Sequence, residues 1–415
     1  MEVISISSES AQQAIALEEK FGAHNYHPLP VVLERGLGVH LWDTDGKRYF
    51  DFLSAYSAVN QGHCHPRIIG ALVEQASKLT LTSRAFHNDV LGEYEQYACT
   101  YFGYDKLLPM NTGAEGVETA IKLCRKWGYE KKGVAEGQAK IIVFSENFHG
   151  RTTTIISFSD DVDARKGFGP YTPGFITVPY NNAIAVAEAL QDKNVVGLLV
   201  EPIQGEAGVM VPDNGYLSQL RNLCTDANVL LIADEIQTGI ARTGRMLAVD
   251  HEAVRPDILI LGKALSGGVL PVSAVLADDD VMLVIRPGQH GSTFGGNPLA
   301  ARVAMAALAV VKDEALAANA ERLGAIFRQE LIAFAAAHPI VTTVRGKGLL
   351  NAVVINDIPT GDAAWNICLR MAEHGLLAKP THCNIIRFAP PLVITEAQLR
   401  ESLDIIKHVI GTVEA

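Results

Sequence analysis

The chain has 415 residues, 48% of them hydrophobic, and a formal net charge of −11. A chain of this length can bury a large core and usually divides into two or three lobes. The acidic excess argues against nucleic acid or an anionic membrane as a partner. No stretch reaches the ~18 apolar residues that a membrane helix needs.

The first ten residues, MEVISISSES, have no basic region followed by an apolar block. They also lack the arginine-rich amphipathic pattern of an organelle presequence. We therefore expect no targeting segment and predict a cytoplasmic protein.

The six cysteines are scattered and form no CxxC pair. This spacing argues against a disulfide framework or a zinc site. His63, Cys64 and His65 form the one tempting cluster, but adjacent side chains of extended structure point to opposite sides. We predict no metal site.

The N-terminal part predicts a helix, then an extended segment, then a hairpin. Residues 39–42 and 48–50 flank Asp45-Gly46, a pair typical of tight hairpin turns.

The middle of the chain alternates short apolar runs with amphipathic stretches, a pattern that indicates a mostly parallel sheet covered on both faces. The runs are 141–144, 195–200, 229–233, 258–261 and 272–276. A helix is predicted where apolar residues recur at helical spacing, at Val117, Ala120, Ile121, Cys124 and Trp127.

From about Pro298 the pattern changes to that of a smaller α+β lobe. An alanine-rich helical stretch is followed by extended segments at 340–344, 349–355 and 385–388, and by helices at 363–373 and 395–410.

Asp234 and Lys263 are the strongest local signal for chemistry. Each follows an apolar run, and in open α/β sheets ligands bind at the carboxyl ends of the strands. The pair suits pyridoxal phosphate, whose ring nitrogen pairs with an aspartate and whose aldehyde forms a Schiff base with a lysine. A buried ion pair of purely structural role is the alternative, and the pair alone does not decide between them.

Three further segments have both a functional and a structural interpretation. NTGAE at 111–115 precedes the predicted helix and either binds a phosphate or caps the helix. FHGRT at 148–152 offers an aromatic ring and an arginine, or is a surface loop. HGSTFGGN at 290–297 offers hydroxyls for a phosphate, or turns the chain.

Two nucleotide-binding patterns are missing from the sequence. Gly262-Lys263 lacks the glycine spacing of a Walker A motif, and no GxGxxG opens a helix after a strand. The second absence argues against a nicotinamide-dependent dehydrogenase.

Taken together and in order, these segments resemble the class III (ω-amino acid) aminotransferases of fold type I. The resemblance runs from about Asn25 to Ile394, and within the class it is to members that act on ornithine. It is carried further by NYHPLPV at 25–31, SAYSAVNQGHCHP at 54–66, MNTG at 110–113, WGY at 127–129, EPIQGEAG at 201–208 and RFAPP at 387–391.

The resemblance implies an α/β fold with a large domain around a mostly parallel seven-stranded sheet and a smaller α+β domain. We place an N-terminal segment that packs with the small domain at 1–50, the large cofactor-binding domain at 51–297 and the small domain at 298–415. It also implies a homodimer with active sites at the interface, and leaves open a higher oligomer.

The implied cofactor is pyridoxal 5′-phosphate, and the implied roles of the residues around it differ. Lys263 would form the Schiff base and shuttle protons, Asp234 would pair with the ring nitrogen, and Gln237 would bond the phenolic oxygen. Phe148 and Ile236 would sandwich the ring. The phosphate would be bound by N–H or hydroxyl groups of Gly113, Ala114, Ser292 and Thr293. Thr293 would reach it from the partner subunit.

The implied reaction is ping-pong transamination of L-ornithine and 2-oxoglutarate to L-glutamate 5-semialdehyde and L-glutamate. Tyr26 and Arg151 would hold the carboxylate end of ornithine, and Tyr56 would favour ornithine over 4-aminobutyrate. Arg387 would bind 2-oxoglutarate, and Glu206 would cover Arg387 while ornithine is bound. The sequence leaves open whether this serves arginine breakdown or proline synthesis.

Two other functions compete with this interpretation of the sequence. The nearer rival is another class III aminotransferase, acting on acetylornithine or 4-aminobutyrate. The other is a cofactor-binding regulator without transaminase activity, which would lack Lys263 or Asp234 or carry a DNA-binding module.

One departure from the family is Gly116, where we expect a better helix former. Glycine in a helix interior costs up to about 1 kcal/mol.

Overall fold

The computed structural model describes residues 8–358 and 361–413. Residues 1–7, most of the segment on which the targeting expectation rests, lie outside the described residues. No helix within the described ranges is both long and apolar enough to cross a bilayer.

The N-terminal part contains the predicted helix and hairpin. Asp43 shapes the hairpin turn, because its Oδ1 accepts hydrogen bonds from the N–H groups of Asp45 (3.0 Å) and Lys47 (2.8 Å). The elements are α1 (Glu9–Phe21), β1 (Leu33–Leu37), β2 (His40–Asp43), β3 (Arg48–Asp51), α2 (Ser54–Ser57), α3 (Pro66–Ala76) and α4 (Leu91–Phe102).

The middle of the chain alternates strands and helices as predicted. Its elements are β4 (Lys106–Met110), α5 (Gly113–Trp127), β5 (Lys140–Phe144), α6 (Thr153–Ile156), α7 (Val162–Arg165), β6 (Phe175–Val178), α8 (Ala183–Ala189), β7 (Val195–Val200), α9 (Tyr216–Asp226), β8 (Leu230–Asp234), β9 (Ile258–Leu261), β10 (Ser273–Ala277) and α10 (Asp279–Met282).

These strands form a seven-stranded sheet in the order β4-β10-β9-β8-β7-β5-β6. β10 is antiparallel to both of its neighbours, and the other neighbouring pairs are parallel, so the expected mostly parallel sheet is confirmed. The apolar runs did not identify β4 and β6, which are the two edge strands. An edge strand pairs on one side only and tolerates residues such as Pro109 in β4.

Alternate residues of the central strands enter two separate cores. Ile141 and Val143 of β5 pack in a cluster with the apolar face of α5, whereas Ile142 and Phe144 belong to a larger cluster with α9. Because successive side chains of a strand point to opposite faces, the sheet is covered on both sides.

The C-terminal part adds two small groups of strands. Its elements are α11 (Pro298–Asp313), α12 (Leu316–Ala335), β11 (Val341–Lys347), β12 (Leu350–Ile355), α13 (Ala363–Glu373), β13 (Leu376–Leu377), β14 (Lys379–Thr381), β15 (Ile385–Phe388) and α14 (Glu396–Gly411). One sheet has the order β11-β12-β15-β14, and the other joins the two ends of the chain in the order β1-β2-β3-β13.

Gly116 has a packing reason for its place in α5. A Cβ atom at this position would lie 2.9 Å from Cγ2 of Ile260 in β9. The missing side chain lets α5 approach the sheet closely, which a better helix former would prevent.

Candidate active site

A cavity of about 200 Å³ opens at the carboxyl edge of the seven-stranded sheet. The segments that follow β4, β5, β7, β8 and β9 converge there, as expected for an open α/β sheet. The lining residues are Gly113, Ala114, Phe148, His149, Gly150, Glu201, Glu206, Asp234, Ile236, Gln237, Thr238 and Lys263.

Lys263 lies two residues beyond β9 and reaches into this cavity. Its backbone has a left-handed φ of 44°, a strained conformation for a residue with a side chain. Burial lowers the pKa of the Lys263 amine, although Glu206 opposes the shift. No hydrogen bond or ion pair joins its Nζ to any of the described residues, so the amine is free to react.

Asp234, the last residue of β8, is bonded to a histidine and not to Lys263. Nδ1 of His149 lies 2.7 Å from Oδ2 of Asp234, and both side chains are buried. Burial by itself lowers the pKa of His149, but the bond to Asp234 outweighs it and raises the pKa. The bond to Asp234 therefore stabilises the protonated form of His149 relative to a free imidazole.

Glu201 follows β7 and connects two loops of the site. Its Oε1 accepts a hydrogen bond from the backbone N–H of Phe148 (2.8 Å), and its Oε2 accepts one from Gly205 (3.3 Å). Burial raises the pKa of Glu201 to about 7, with a further contribution from Asp234.

Glu206 and Arg387 form an ion pair between the large sheet and β15. Oε1 of Glu206 lies 2.6 Å from Nη1 of Arg387 and accepts a hydrogen bond from Gln237 at 3.0 Å. Burial alone would raise the pKa of Glu206, but the charge and hydrogen bond of Arg387 lower it to about 2. The carboxylate is therefore ionised.

Tyr56 is held against Arg387 by an unusual turn. Ser54, Ala55, Tyr56 and Ser57 have φ values of 49°, 46°, 60° and 72°, so α2 is a single left-handed turn without glycine. The guanidinium carbon of Arg387 lies 5.1 Å from the centroid of the Tyr56 ring, within the range of a cation–π contact.

Gly113 and Ala114 line the cavity at the N-terminus of α5, whose first N–H groups lack partners within the helix. Thr112 caps this helix, and Glu115 completes a capping box. The helix-cap interpretation of the NTGAE segment is thus confirmed, and phosphate binding stays a prediction. A Cβ atom on Gly113 would lie 3.0 Å from Ile236, which shows how closely the two segments approach.

The remaining predicted site residues lie outside the lining of the cavity. Oγ of Ser292 accepts a hydrogen bond from Nδ2 of Asn111 at 2.8 Å, and Thr293 is exposed. Tyr26 is 73% exposed. The exposed Arg151 side chain lies 3.8 Å from Asp161 and 5.8 Å from the ring centroid of Phe148.

Four lining residues were not predicted from the sequence: His149, Gly150, Glu201 and Thr238. His149 and Glu201 both lie inside segments singled out for other residues. The available signal was position: Glu201 comes directly after β7, and His149 lies in the loop that follows β5 at the cavity edge.

The cavity has the donor set that pyridoxal phosphate requires. An unpartnered lysine amine, a buried carboxylate, two apolar side chains and a helix N-terminus line one space. Among residues 8–358 and 361–413, no cluster of three histidine, cysteine or acidic residues could hold a metal ion. His63 and His65 instead contact Asp51 (2.7 Å) and Glu314 (2.9 Å).

Comparison with known proteins gives concordant matches over nearly the whole chain. Residues 21–410 match the family model described as aminotransferase class-III. The mitochondrial ornithine aminotransferase of Drosophila melanogaster is 61% identical over 99% of this chain and 94% of its own length.

Two solved structures are also similar. The ornithine aminotransferase of Toxoplasma gondii superposes with a TM-score of 0.95 at 49% identity, over 98% of this chain and 96% of that one. A protein described as the acetylornithine aminotransferase of Elizabethkingia anophelis has a TM-score of 0.90 at 60% identity, over 97% of this chain and 99% of that one.

Proposed function

The chain belongs to the class III aminotransferase family, and we propose that it is an ornithine δ-aminotransferase. The proposed reaction converts L-ornithine and 2-oxoglutarate to L-glutamate 5-semialdehyde and L-glutamate in two half-reactions at one site. Such a site must accept first a diamino acid and then a dicarboxylate.

The observation that carries the proposal is the ion pair of Glu206 and Arg387 beside Lys263. Arg387 is buried, and its Nη1 lies 2.6 Å from Glu206 in the same cavity wall that holds Lys263. A paired guanidinium does not attract the first substrate's carboxylate, whereas an unpaired one binds the carboxylate of 2-oxoglutarate. A movable ion pair thus lets one site serve two unlike substrates.

Bound pyridoxal 5′-phosphate supplies the electron sink that stabilises negative charge on the substrate carbon. We assign Lys263 to cofactor attachment and to proton transfer through its Nζ. Asp234, charged and held by His149, keeps a proton on the ring nitrogen, and Gln237 bonds the phenolic oxygen.

We assign the remaining cofactor contacts to groups at the cavity wall. Phe148 and Ile236 cover the two faces of the ring. The N–H groups of Gly113 and Ala114 bind the phosphate, which the positive end of the α5 dipole also favours.

The substrate end is assigned to residues outside the lining of the cavity. Tyr26 and Arg151 bind the carboxylate end of ornithine, so that the δ-amine points towards Lys263. Their exposure supports this assignment, since a substrate carboxylate can reach both from solvent. Tyr56, held over Arg387, narrows the site against 4-aminobutyrate.

We also propose that the chain forms a homodimer with active sites at the interface, in which Thr293 and Ser292 of one subunit reach the phosphate of the other. The exposure of Thr293 and of the adjacent Phe294 (56%) supports this arrangement. Sedimentation of the purified protein tests it. A monomer with full activity would contradict the proposal.

A second candidate substrate is N-acetylornithine, because one solved relative at 60% identity is described as an acetylornithine aminotransferase. A panel of ornithine, N-acetylornithine, 4-aminobutyrate and lysine with 2-oxoglutarate separates the candidates. Preference for ornithine with a product that cyclises supports the proposal. Preference for N-acetylornithine would transfer the assignment to the second candidate.

Two finer predictions stay open. The domain division at 1–50, 51–297 and 298–415 is supported by the pairing of β3 with β13, which joins the first segment to the last. The cytoplasmic location remains a prediction, whereas the Drosophila melanogaster relative is named as a mitochondrial protein. Fractionation of the source cells tests it.

A further inference from the structure

We propose that Glu201 is a positioning residue that ties the loop carrying Phe148 to the loop carrying Glu206, and thereby sets how firmly Glu206 covers Arg387. This inference rests on the proposed function, in which Arg387 must be covered and uncovered in turn. Glu201 is the first residue of the motif at 201–208 that carries the family resemblance, but none of the assigned roles falls on it.

The two oxygens of Glu201 serve different loops. One accepts the N–H of Phe148 at 2.8 Å, and the other accepts the N–H of Gly205 at 3.3 Å. Both acceptors are on a side chain only 7% exposed. The bond from Phe148 has an ordinary length and the bond from Gly205 is longer, so this one side chain joins the two loops through a stronger and a weaker contact.

The Gly205 loop leads directly to the ion pair. Gly205 precedes Glu206 in sequence, and its carbonyl accepts a hydrogen bond from Nη1 of Arg387 at 3.3 Å. Gly205 also lies against Gln237, because a Cβ atom there would come within 1.5 Å of Oε1 of Gln237. A shift of Gly205 would therefore disturb Glu206 together with both of its partners.

The Phe148 loop leads to the cofactor site. Phe148 lines the cavity, and the next residue, His149, bonds Asp234 at 2.7 Å. Glu201 thus connects the residues proposed to contact the ring with the residues proposed to select the second substrate. A residue of purely structural role would stabilise the fold without linking these two groups.

The test uses the full-length, cofactor-loaded protein and glutarate, a dicarboxylate that lacks the keto group and cannot react. Glu201→Gln replaces one acceptor by an amide that cannot accept from Gly205. We expect glutarate to bind about three- to tenfold more tightly, the effect of one weakened hydrogen bond, because Glu206 covers Arg387 less firmly. Calorimetry measures the affinity, and circular dichroism of the bound cofactor reports the displacement of Phe148.

A double-mutant cycle isolates the energetic coupling between Glu201 and Glu206. In a Glu206→Ala background Arg387 is already uncovered, so adding Glu201→Gln should leave the glutarate affinity unchanged within twofold. An equal effect of Glu201→Gln in both backgrounds, or no effect in either, would overturn the proposal.

Glu235→Gln is the matched control. Glu235 is also buried, and burial raises its pKa to about 7, but it accepts hydrogen bonds from Val249 (2.9 Å) and Thr238 and from neither loop. We expect it to lower stability without changing glutarate affinity. A shift equal to that of Glu201→Gln would mean general loosening and would overturn the proposal.

If Glu201→Gln does not fold, Glu201→Asp provides the second variant. Its shorter side chain keeps the carboxyl group but cannot reach both N–H groups, so tighter glutarate binding is again expected, and unchanged affinity would overturn the inference. The glutarate assay does not involve the amine substrate. Failure of the ornithine assignment would therefore appear in the substrate panel alone.

Discussion

The carboxylate of Glu206 lies 2.6 Å from the guanidinium of Arg387, a residue that is only 2% exposed. Arg387 also lies under the Tyr56 ring, with 5.1 Å from its guanidinium carbon to the ring centroid. Its charge is therefore balanced by one carboxylate and one aromatic face. With a pKa of about 2, Glu206 keeps the pair ionised throughout the neutral range.

We expect Glu206→Ala to lower the KM for 2-oxoglutarate by about tenfold, the equivalent of about 1.4 kcal/mol, because Arg387 loses its competing partner. Initial rates at varied 2-oxoglutarate concentrations measure it. Because the pKa of Glu206 is about 2, its protonation should cause no change in the wild-type KM for 2-oxoglutarate between pH 5 and 9. An unchanged or raised KM in the variant would count against a movable pair.

Lys263→Ala should abolish transamination and the visible absorption of lysine-bound cofactor. The lysine amine is the one group lining the cavity that can attach the cofactor covalently. Absorption spectra and mass spectrometry after borohydride reduction of the protein measure the attachment. Lys122→Ala is the control, because Lys122 contacts His290 at 2.9 Å outside the cavity. Covalent cofactor retained in Lys263→Ala would contradict the assignment.

Cofactor capture by the cofactor-free protein should accelerate as pH rises through a midpoint below the 10.5 of an ordinary lysine. Burial lowers the pKa of Lys263, so the neutral, reactive amine appears at lower pH. Glu206 raises this pKa, and Glu206→Gln should therefore shift the midpoint to a still lower pH. Stopped-flow absorbance at varied pH measures both. A midpoint at or above 10.5 would refute the prediction.

Ala55→Gly should stabilise the protein by about 0.5–1 kcal/mol. Ala55 is exposed and has a φ of 46°, a left-handed conformation that costs an L-residue roughly 1–2 kcal/mol and glycine much less. The greater freedom of glycine in the unfolded chain offsets part of the gain. Ala58→Gly is the matched control, since Ala58 has a right-handed φ of −82° and should lose stability. Denaturant unfolding compares them, and destabilisation by Ala55→Gly would contradict the left-handed turn.

Gly116→Ala should destabilise the protein by about 1–3 kcal/mol, despite the higher helix propensity of alanine. The new Cβ atom would lie 2.9 Å from Ile260, a buried residue of β9 that cannot move freely. Gly70→Ala in α3 is the control, because nothing lies within 4 Å of its Cβ position. That variant should gain up to about 1 kcal/mol. Equal effects of the two substitutions would show that helix propensity decides at both sites.

Much of the fold followed from the sequence because buried strands need continuous apolar runs. β7 and β9 agree with the predicted 195–200 and 258–261, and β8 and β10 are displaced by one residue. The edge strands β4 and β6 were not identified, since pairing on one side does not demand such runs. The pairing of β3 with β13 was also beyond the sequence pattern, because it joins segments more than 300 residues apart.

The residues of the site were also predicted from the sequence only in part. Their position after apolar runs identified Asp234 and Lys263, because ligands bind at the carboxyl ends of such strands. Glu206 and Arg387 were predicted from the resemblance of the motifs to the family. The sequence by itself thus determined the fold class and the family, and it predicted the side chains assigned to the site.

Only the tertiary structure decided which of these side chains meet. It brought His149 to Asp234, Glu201 to two loops and Tyr56 to Arg387 through a left-handed turn. The physical reason is that hydrogen bonds and charge contacts act within a few ångströms. Residues far apart in sequence come that close only through tertiary packing, as where the large sheet aligns the carboxyl ends of its strands.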